Sequence, residues 1–353
     1  MAPLIILILL SWLSLFKEQG NMPTRINAGR SLQFDALFLL ICLIFIVIIG
    51  FRDVDIGDDT IRYYEKFEDR SFFSYIDYGE IGAFLLMEAA YLIGTPQLFF
   101  IISAAIVIPL YLITFRDYPT PRESLGWGLM LFLGTTVGLT AIISVQRQAL
   151  AAAVILYGTK YLITRRFWKY LICILLASTF HISALLMVFL YPLTSPTIKY
   201  KHIFIVGVCG IGLLRAYIAY LTEFFPQYAF YVDFFIDDGH GMKQLIMYLG
   251  FFCLFFLTSL KYRHDKAFNV FFKVYLLGIF LLIGFYSLLG VSLSVRLAFF
   301  CLSYMFLLIP YSVEIDNLYI RLPLKVMMMI LLTGLYFYSM DLAAAIPFKL
   351  SVY

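Results

Sequence analysis

Residues 97–115 read QLFFIISAAIVIPLYLITF, an apolar run without a charged side chain. A helix rises about 1.5 Å per residue, so a run of this length nearly covers the roughly 30 Å hydrocarbon core of a bilayer. Similar runs recur along the chain, and 63% of its 353 residues are hydrophobic whereas only 14% are charged. A soluble domain carries about 25% charged residues because water must wet its surface. The composition therefore predicts a membrane protein.

The apolar runs are continuous rather than alternating, which favours transmembrane helices over a barrel. We predict an all-α, polytopic transmembrane helix bundle of about 10–12 membrane segments, with short re-entrant or interfacial helices. The predicted spans are 2–16, 33–51, 97–115, 124–143, 148–163, 203–221, 243–260, 270–289, 295–312 and 322–340. The run 81–94 is short and carries Glu88, and the run 168–193 is interrupted near His181. We interpret the first as interfacial or re-entrant and the second as a broken hairpin.

Basic residues set the orientation, because Lys and Arg resist translocation. The clusters at 165–169 and 261–266 are the strongest cytoplasmic signals. The orientation that these clusters predict puts four polar segments on the external side. They are the acid-rich segment 52–96, the turn at Arg147, the loop 222–242 and a turn before Arg296. No linker or tandem repeat interrupts the chain, so we expect one integral-membrane domain, 1–353.

The first polar cluster follows an apolar span, where residues 51–64 read FRDVDIGDDTIRYY. Arg52 lies at the expected membrane surface, where a guanidinium either snorkels from a helix end or holds a phosphate with two hydrogen bonds. Asp58 and Asp59 are typical residues for the start of a short helix. They are equally suited to orient a sugar hydroxyl.

Three further polar residues interrupt apolar sequence. Arg147 joins two predicted spans with almost no loop, so it needs a carboxylate, a backbone carbonyl or an anionic ligand as partner. His181 is either a neutral side chain that donates to a neighbouring carbonyl or a titrating group. Arg296 opens a predicted span, with Tyr304 two turns along it. Arginines at the same depth suit a lipid-linked diphosphate, because the planar guanidinium matches phosphate geometry.

Other chemistries lack a motif in this sequence. There is no P-loop, dinucleotide fingerprint, HExxH or Ser-His-Asp spacing, and the five cysteines stand alone in apolar runs. We therefore predict no cofactor and no metal site. The net charge of +4 is small and spread over short loops, which argues against a nucleic-acid partner.

The order of the motifs resembles that of the EpsG/Wzy-type bacterial polysaccharide polymerases. The matching elements are RDVDIGDDTIRY at 52–63, EIGAF at 80–84, RQALA at 147–151, FHISA at 180–184, and Arg296 with Tyr304. The second element approximates the Glu-x-Gly-aromatic group of that family, with the aromatic displaced by one position. The third and fourth together form the most specific part of the resemblance, which covers about residues 50–310.

The resemblance implies a GT-C-like glycosyltransferase that joins oligosaccharide repeat units carried on undecaprenyl diphosphate. The reaction would take place at the outer, periplasmic face of the bacterial cytoplasmic (inner) membrane. It would invert the anomeric carbon and need no metal. The implied partners are the donor and acceptor lipid-linked oligosaccharides and membrane lipids, and a chain-length regulator protein is a further candidate.

The resemblance also implies roles for particular residues. Arg147 and Arg296, with Arg52 in support, would hold the donor diphosphate and stabilise the charge that develops on it. His181 is the favoured base for the acceptor hydroxyl, and Asp59 is the competing candidate. The substrate-binding candidates are Asp58, Tyr63, Glu80, Gln148 and Tyr304. Alternative functions are a lipid-linked oligosaccharide flippase, an O-antigen ligase and a polytopic O-acyltransferase.

Overall fold

The computed structural model describes residues 2–18, 36–57, 59–118, 124–224, 241–314 and 318–342. These residues form helices and turns, with no β-strand among them. The α-helices, in chain order, are α1 (Ala2–Glu18), α2 (Ala36–Gly50), α3 (Thr60–Glu68), α4 (Ser74–Asp77), α5 (Ile81–Ile93), α6 (Gln97–Asp117), α7 (Ser124–Leu133), α8 (Leu139–Ser144), α9 (Gln146–Ile163), α10 (Phe167–Ser178), α11 (Leu190–Leu193), α12 (Tyr200–Phe224), α13 (Gly241–Tyr262), α14 (Lys266–Leu302), α15 (Met305–Val313) and α16 (Leu318–Leu342). Two 3₁₀ helices occupy Ser71–Phe73 and Ile182–Phe189.

The chain is a polytopic helical membrane protein, as the composition predicts. Within the described residues, four helical stretches are each long and apolar enough to cross a bilayer: Gln97–Asp117, Met242–Tyr262, Lys266–Tyr286 and Tyr319–Asp341. The bent pair Ser294–Leu302 and Met305–Val313 adds a fifth if it forms one span. Shorter apolar helical stretches of 10–17 residues include Ala36–Gly50, Ile81–Ile93, Ser124–Leu133 and Phe167–Ser178. These four are shorter than the roughly 20 residues of a full crossing.

The helices form two compact units: residues 1–188 with 313–353, and residues 189–312. In the first unit, α6 packs against α2 and α9, α9 packs against α10, and α1 packs against α7. The run Ala149–Ala153 of α9 is buried and consists mostly of alanine, which lets neighbouring helices approach closely. This unit holds the N-terminal candidate site residues.

The acid-rich segment 52–96 folds into short helices that pack through an aromatic cluster. Its buried rings belong to Tyr63, Phe72, Tyr75, Phe99 and Phe100. The Tyr63 and Phe99 ring centroids are 5.1 Å apart, a separation typical of aromatic pairs in protein cores. The cluster joins α3 and α4 to the first turn of α6.

The single span predicted at 124–143 is wrong, because the chain breaks between α7 and α8. The break contains Gly134 and Gly138, and glycine favours helix interruption because it lacks a Cβ atom and loses the most conformational freedom in a helix. The short junction predicted near Arg147 is confirmed: α8 ends at Ser144, α9 begins at Gln146, and only Val145 lies between them.

The reversal of chain direction that we predicted within the broken hairpin at 168–193 is confirmed. Helix α10 ends at Ser178, and the Tyr170 hydroxyl donates to the Met187 carbonyl at 2.7 Å. Seventeen residues of unbroken helix would separate those positions by about 25 Å. His181 therefore lies in the turn between the two arms.

In the second unit, α14 packs against α12 and α13. The turn predicted before Arg296 is wrong, since α14 runs without interruption from Lys266 to Leu302. Serine hydroxyls can bond to a carbonyl one helical turn earlier, as Ser259 does to Phe256 at 2.6 Å within α13, so a short polar run need not end a helix. The break comes at Ser303 and Tyr304, where the chain bends by 57° into α15.

Candidate active site

The Glu80 carboxylate in the first unit contacts both Arg147 and His181. Its Oε2 atom accepts a hydrogen bond from Arg147 Nη1. Its Oε1 atom lies 2.8 Å from His181 Nδ1 and 3.3 Å from the Ile182 amide nitrogen. The Glu80 side chain is 3% exposed, whereas those of Arg147 and His181 are each 27% exposed. A buried carboxylate thus holds a cation and an imidazole that both reach solvent.

Close packing at the start of α5 brings Glu80 to His181. The amide nitrogens of Gly82 and Ala83 donate to the Thr179 carbonyl at 2.8 and 3.2 Å. A Cβ atom on Gly82 would lie 2.5 Å from Thr179 Oγ1 and 3.0 Å from the Phe180 ring. Only glycine fits this approach without displacing the turn. This contact explains why a glycine follows Glu80 by two positions.

Aromatic side chains flank the Arg147 guanidinium. Its Cζ atom lies 4.5 Å from the centre of the Tyr75 ring, a cation–π geometry that stabilises a partly buried charge. Tyr63 is a second aromatic neighbour of this guanidinium. Arg147 Nε is buried without a hydrogen-bond partner in the structure. The guanidinium thus keeps a donor that its described neighbours do not use.

The surroundings of Glu80 keep its carboxyl group ionised. Burial acts to raise its pKa, but the hydrogen bond from His181 and the charge of Arg147 together outweigh burial and lower the pKa. An ionised carboxylate only accepts hydrogen bonds, so the His181 Nδ1 atom carries the proton. The basic lone pair of the neutral imidazole is then on Nε2. This tautomer suits a general base.

Arg52 is fully buried, and its guanidinium is enclosed by acceptors from its own unit. It donates to the Ile49 carbonyl at 2.9 Å, the Ile143 carbonyl at 3.1 Å and Gln146 Oε1 at 3.2 Å. Thr60 Oγ1 lies 3.4 Å from its Nε atom. Direct contact with a diphosphate, as the sequence predicts for Arg52, would require the guanidinium to leave these partners.

Gly57 allows the 51–64 segment to approach α8. Its φ angle is +90°, a left-handed conformation that favours glycine. A Cβ atom there would lie 2.5 Å from Ile143 Cγ2 and 2.7 Å from the Ile143 carbonyl oxygen. The glycine of this motif is therefore required by a turn and by close contact with the chain just before Arg147.

Asp59 lies at the start of α3, where its carboxylate is 3.3 Å from Arg62 Nη1. Its side chain is 16% exposed, so it is more buried than the exposed acids around it. Asp58 lies outside the described residues. The choice between His181 and Asp59 as base stays a prediction, although only His181 has a described contact with Glu80.

The other candidate residues are either more buried than Arg147 and His181 or belong to the second unit. Gln148 is 7% exposed within α9, and Tyr63 is 6% exposed within the aromatic cluster. Arg296 is half-buried within α14 of the second unit. Tyr304 is fully buried at the bend after that helix, with its ring centroid 6.3 Å from that of Phe271. The substrate roles of these side chains stay predictions.

Sequence reasoning placed Glu80 only among the substrate-binding residues and missed Tyr75. The glycine two positions after Glu80 is a signal that could have indicated a tight approach, but it would not have identified the partner, because hydropathy does not tell which helices touch. Tyr75 carried no signal beyond its aromatic character. Among the described residues, no group of three or more His, Cys, Asp or Glu side chains is arranged to hold a metal ion.

The fold and this centre define a class: a polytopic helical membrane protein with an arginine–carboxylate–histidine cluster in one unit. The EpsG family model matches residues 35–350, nearly the whole chain, and the protein belongs to that family. EpsG is a Wzy-type polysaccharide polymerase family, which supports polysaccharide repeat-unit polymerisation in general as the function. No curated protein and no solved structure matches the chain.

Proposed function

We propose that this chain is a glycosyltransferase that polymerises oligosaccharide repeat units carried on undecaprenyl diphosphate. One lipid-linked chain is the donor, and a second lipid-linked unit is the acceptor. Family membership supports polymerisation, and the Glu80 cluster supports the chemistry. The bridge from Glu80 to both Arg147 and His181 is the observation that carries the proposal, because it joins an anion-binding group to a base.

Arg147 binds the donor diphosphate in this proposal. Its side chain is 27% exposed, and its planar fork matches phosphate oxygens. Negative charge grows on the diphosphate as the anomeric C–O bond breaks, and a positioned cation stabilises that charge. For Arg296 the same role rests on the family resemblance. Arg52 has no direct contact with the diphosphate here, because its guanidinium is fully buried.

His181 removes the proton from the acceptor hydroxyl. The proton moves to Nε2, the hydroxyl oxygen forms a bond to the anomeric carbon of the donor, and undecaprenyl diphosphate leaves with the bonding electrons. Direct displacement inverts the anomeric carbon. Glu80 then stabilises the imidazolium through its contact with Nδ1, 2.8 Å away. The diphosphate is already an activated leaving group, so no step calls for a metal.

The site faces the exterior of the bacterial inner membrane in this proposal. The acid-rich segment 52–96 and the basic cytoplasmic clusters at 165–169 and 261–266 support that orientation. A membrane-impermeant thiol reagent applied to intact cells should label a cysteine placed at exposed Ser71 and should not label one at exposed Arg166. The reverse pattern would place the site in the cytoplasm.

Polymerisation by the purified protein tests the chemistry. With a synthetic lipid-linked repeat unit as substrate, Arg147→Ala should abolish chain growth while the protein folds normally. The matched control is Arg166→Ala, since Arg166 is an exposed arginine just beyond the opposite end of α9. Normal chain lengths from Arg147→Ala would remove Arg147 from the mechanism.

The surface glycan of a deletion strain separates the alternatives. Glycan that stops at one repeat unit supports the polymerase. Absence of any repeat unit outside the cell indicates a flippase, and free lipid-linked polymer indicates a ligase. A glycan of normal length that lacks acyl groups indicates an O-acyltransferase.

A further inference from the structure

Arg52 is a buried cation with no described contact to solvent. Its side chain is 0% exposed, and its Cζ atom lies 4.3 Å from the centre of the Phe100 ring. Burying an ionised group is costly unless hydrogen bonds and favourable charges compensate it. Acceptors for this guanidinium come from three parts of the chain: Ile49, Thr60 and the Ile143–Gln146 stretch. These hydrogen bonds hold the acceptors in place as well as the guanidinium.

The Arg52 backbone is held as firmly as its side chain. Gln97 Nε2 donates to the Arg52 carbonyl at 3.2 Å and also to the Gly50 carbonyl. The Gln97 Oε1 atom in turn accepts from the Tyr64 hydroxyl at 2.6 Å. The end of α2 is therefore tied to the first residue of α6. Arg52 extends from an anchored backbone.

The contacts of Arg52 with the 143–146 stretch span the junction that carries Arg147. Ile143 lies in the last turn of α8, and Gln146 is the first residue of α9. One guanidinium nitrogen, Nη2, lies 3.1 Å from the Ile143 carbonyl and 3.2 Å from Gln146 Oε1. That nitrogen therefore links the two helices on either side of Val145. Arg147 follows Gln146 directly, so the angle of this junction sets the direction of its side chain.

Arg52 also fixes the orientation of the Gln146 side chain. A guanidinium only donates hydrogen bonds, so the amide oxygen of Gln146 must face it and the amide nitrogen must point elsewhere. The Gln146 side chain is fully buried. The amide oxygen thus ties the first residue of α9 to the guanidinium.

We propose that Arg52 is a positioning residue for donor binding: it fixes the α8–α9 junction and thereby directs the Arg147 guanidinium toward the diphosphate. The inference rests on the proposed function of Arg147. It replaces the direct contact predicted for Arg52 with an action through Arg147. Misplacing a catalytic group by about 1 Å costs on the order of 10²-fold in reaction rate, and we expect a loss of similar size in donor binding.

A double-mutant cycle on ligand binding tests this role. The probe is undecaprenyl diphosphate, titrated into the purified protein in nanodiscs. The four proteins are the parent, Arg52→Lys, Arg147→Ala and the double variant. Lysine keeps the charge but has a single nitrogen, so it cannot bond to the Ile49 carbonyl and to the 143–146 stretch together, as the guanidinium does through Nη1 and Nη2. Arg52→Lys should weaken binding on the order of 10²-fold, and the double variant should bind no more weakly than Arg147→Ala.

Non-additivity separates positioning from general destabilisation. Residues that act through one another show interaction energies, whereas independent effects add. Additive losses in the double variant, or unchanged binding in Arg52→Lys, would overturn the inference while leaving Arg147 as the diphosphate ligand. Parent-like binding by Arg147→Ala would overturn the proposed function and the inference together. Thermal unfolding of each variant reports folding separately.

Two companion variants keep the test decisive. Gln146→Met removes the acceptor on α9 while Arg52 keeps its contact with Ile143, so it should also weaken binding. It provides the test if Arg52→Lys folds poorly. Arg70→Lys is the matched control. Arg70 belongs to the same unit, is 45% exposed and pairs with Glu88 at 3.6 Å, so this change should leave binding as in the parent. Normal binding by Gln146→Met would also overturn the inference.

Discussion

His181 Nδ1 lies 2.8 Å from Glu80 Oε1, although 101 positions separate the two residues in the chain. The same carboxylate holds Arg147 through its other oxygen. An imidazole that donates to an ionised carboxylate is fixed in one tautomer. The contact therefore gives His181 the orientation that a general base needs.

Replacing His181 should remove the base. General base catalysis contributes about 10²–10⁴-fold, so His181→Ala should lower the polymerisation rate by that factor, measured as repeat units joined per minute by purified protein. The control is His202→Ala, since His202 accepts from the Lys199 amide at 3.0 Å in the second unit and has no role in the mechanism. Equal activity in both variants would leave Asp59 as the candidate base.

Replacing Glu80 by its amide should slow the reaction without removing the imidazole. Glu80→Gln can still accept from Nδ1, but it provides no charge to stabilise the imidazolium or to pair with Arg147. We expect a loss of about 10²-fold or more. Adding His181→Ala should cost little further, because groups that act as a unit are not additive.

The control for Glu80 is another acid on the adjoining helix. Glu88 lies in α5 and pairs with Arg70 at 3.6 Å. Glu88→Gln should keep most of the polymerisation activity. If both amide variants lost activity equally, the effect would come from α5 as a whole and not from the contact with His181.

Gly82→Ala should disturb the approach of α5 to the turn before His181. The new Cβ atom would lie 2.5 Å from Thr179 Oγ1 and 3.0 Å from the Phe180 ring. Overpacking of this kind costs about 1–3 kcal/mol. We expect a lower unfolding temperature in detergent and a loss of polymerisation, both measured against the parent protein.

Gly250→Ala is the matched substitution in an open place. It lies within α13, where no atom comes within 4 Å of the added Cβ. Alanine stabilises a helix interior by about 0.5–1 kcal/mol relative to glycine. This variant should be as stable as the parent or more so, and a loss equal to that of Gly82→Ala would contradict the steric explanation.

The stabilising effect of Glu80 should depend on pH with a definite sign. The folded protein lowers the pKa of this carboxyl group, so its contribution to stability is fully present above the ordinary glutamate pKa of about 4.3. It is lost as the pH falls through the lowered value. The difference in unfolding temperature between the parent and Glu80→Gln should shrink as the pH falls from about 5 to below about 4. A difference that stays constant down to pH 3 would mean that the ion pair contributes nothing.

The sequence by itself determined the class of protein and the positions of its polar residues. The small share of charged residues and the long apolar runs exclude a soluble fold, because a water-facing surface needs charged side chains. The break at Val145 and the reversal near His181 were also predictable, since polar residues in the middle of an apolar run mark an interruption. The motif order was enough to indicate the family.

Only the tertiary structure decided which of those residues meet. Glu80, Arg147 and His181 come from three separate parts of the chain, and their contact depends on how α5, α9 and the turn after α10 pack. Hydropathy and spacing describe one helix at a time and do not specify its neighbours. The enclosure of Arg52 has the same origin, because an arginine at a helix end reaches solvent or is buried according to what packs over it.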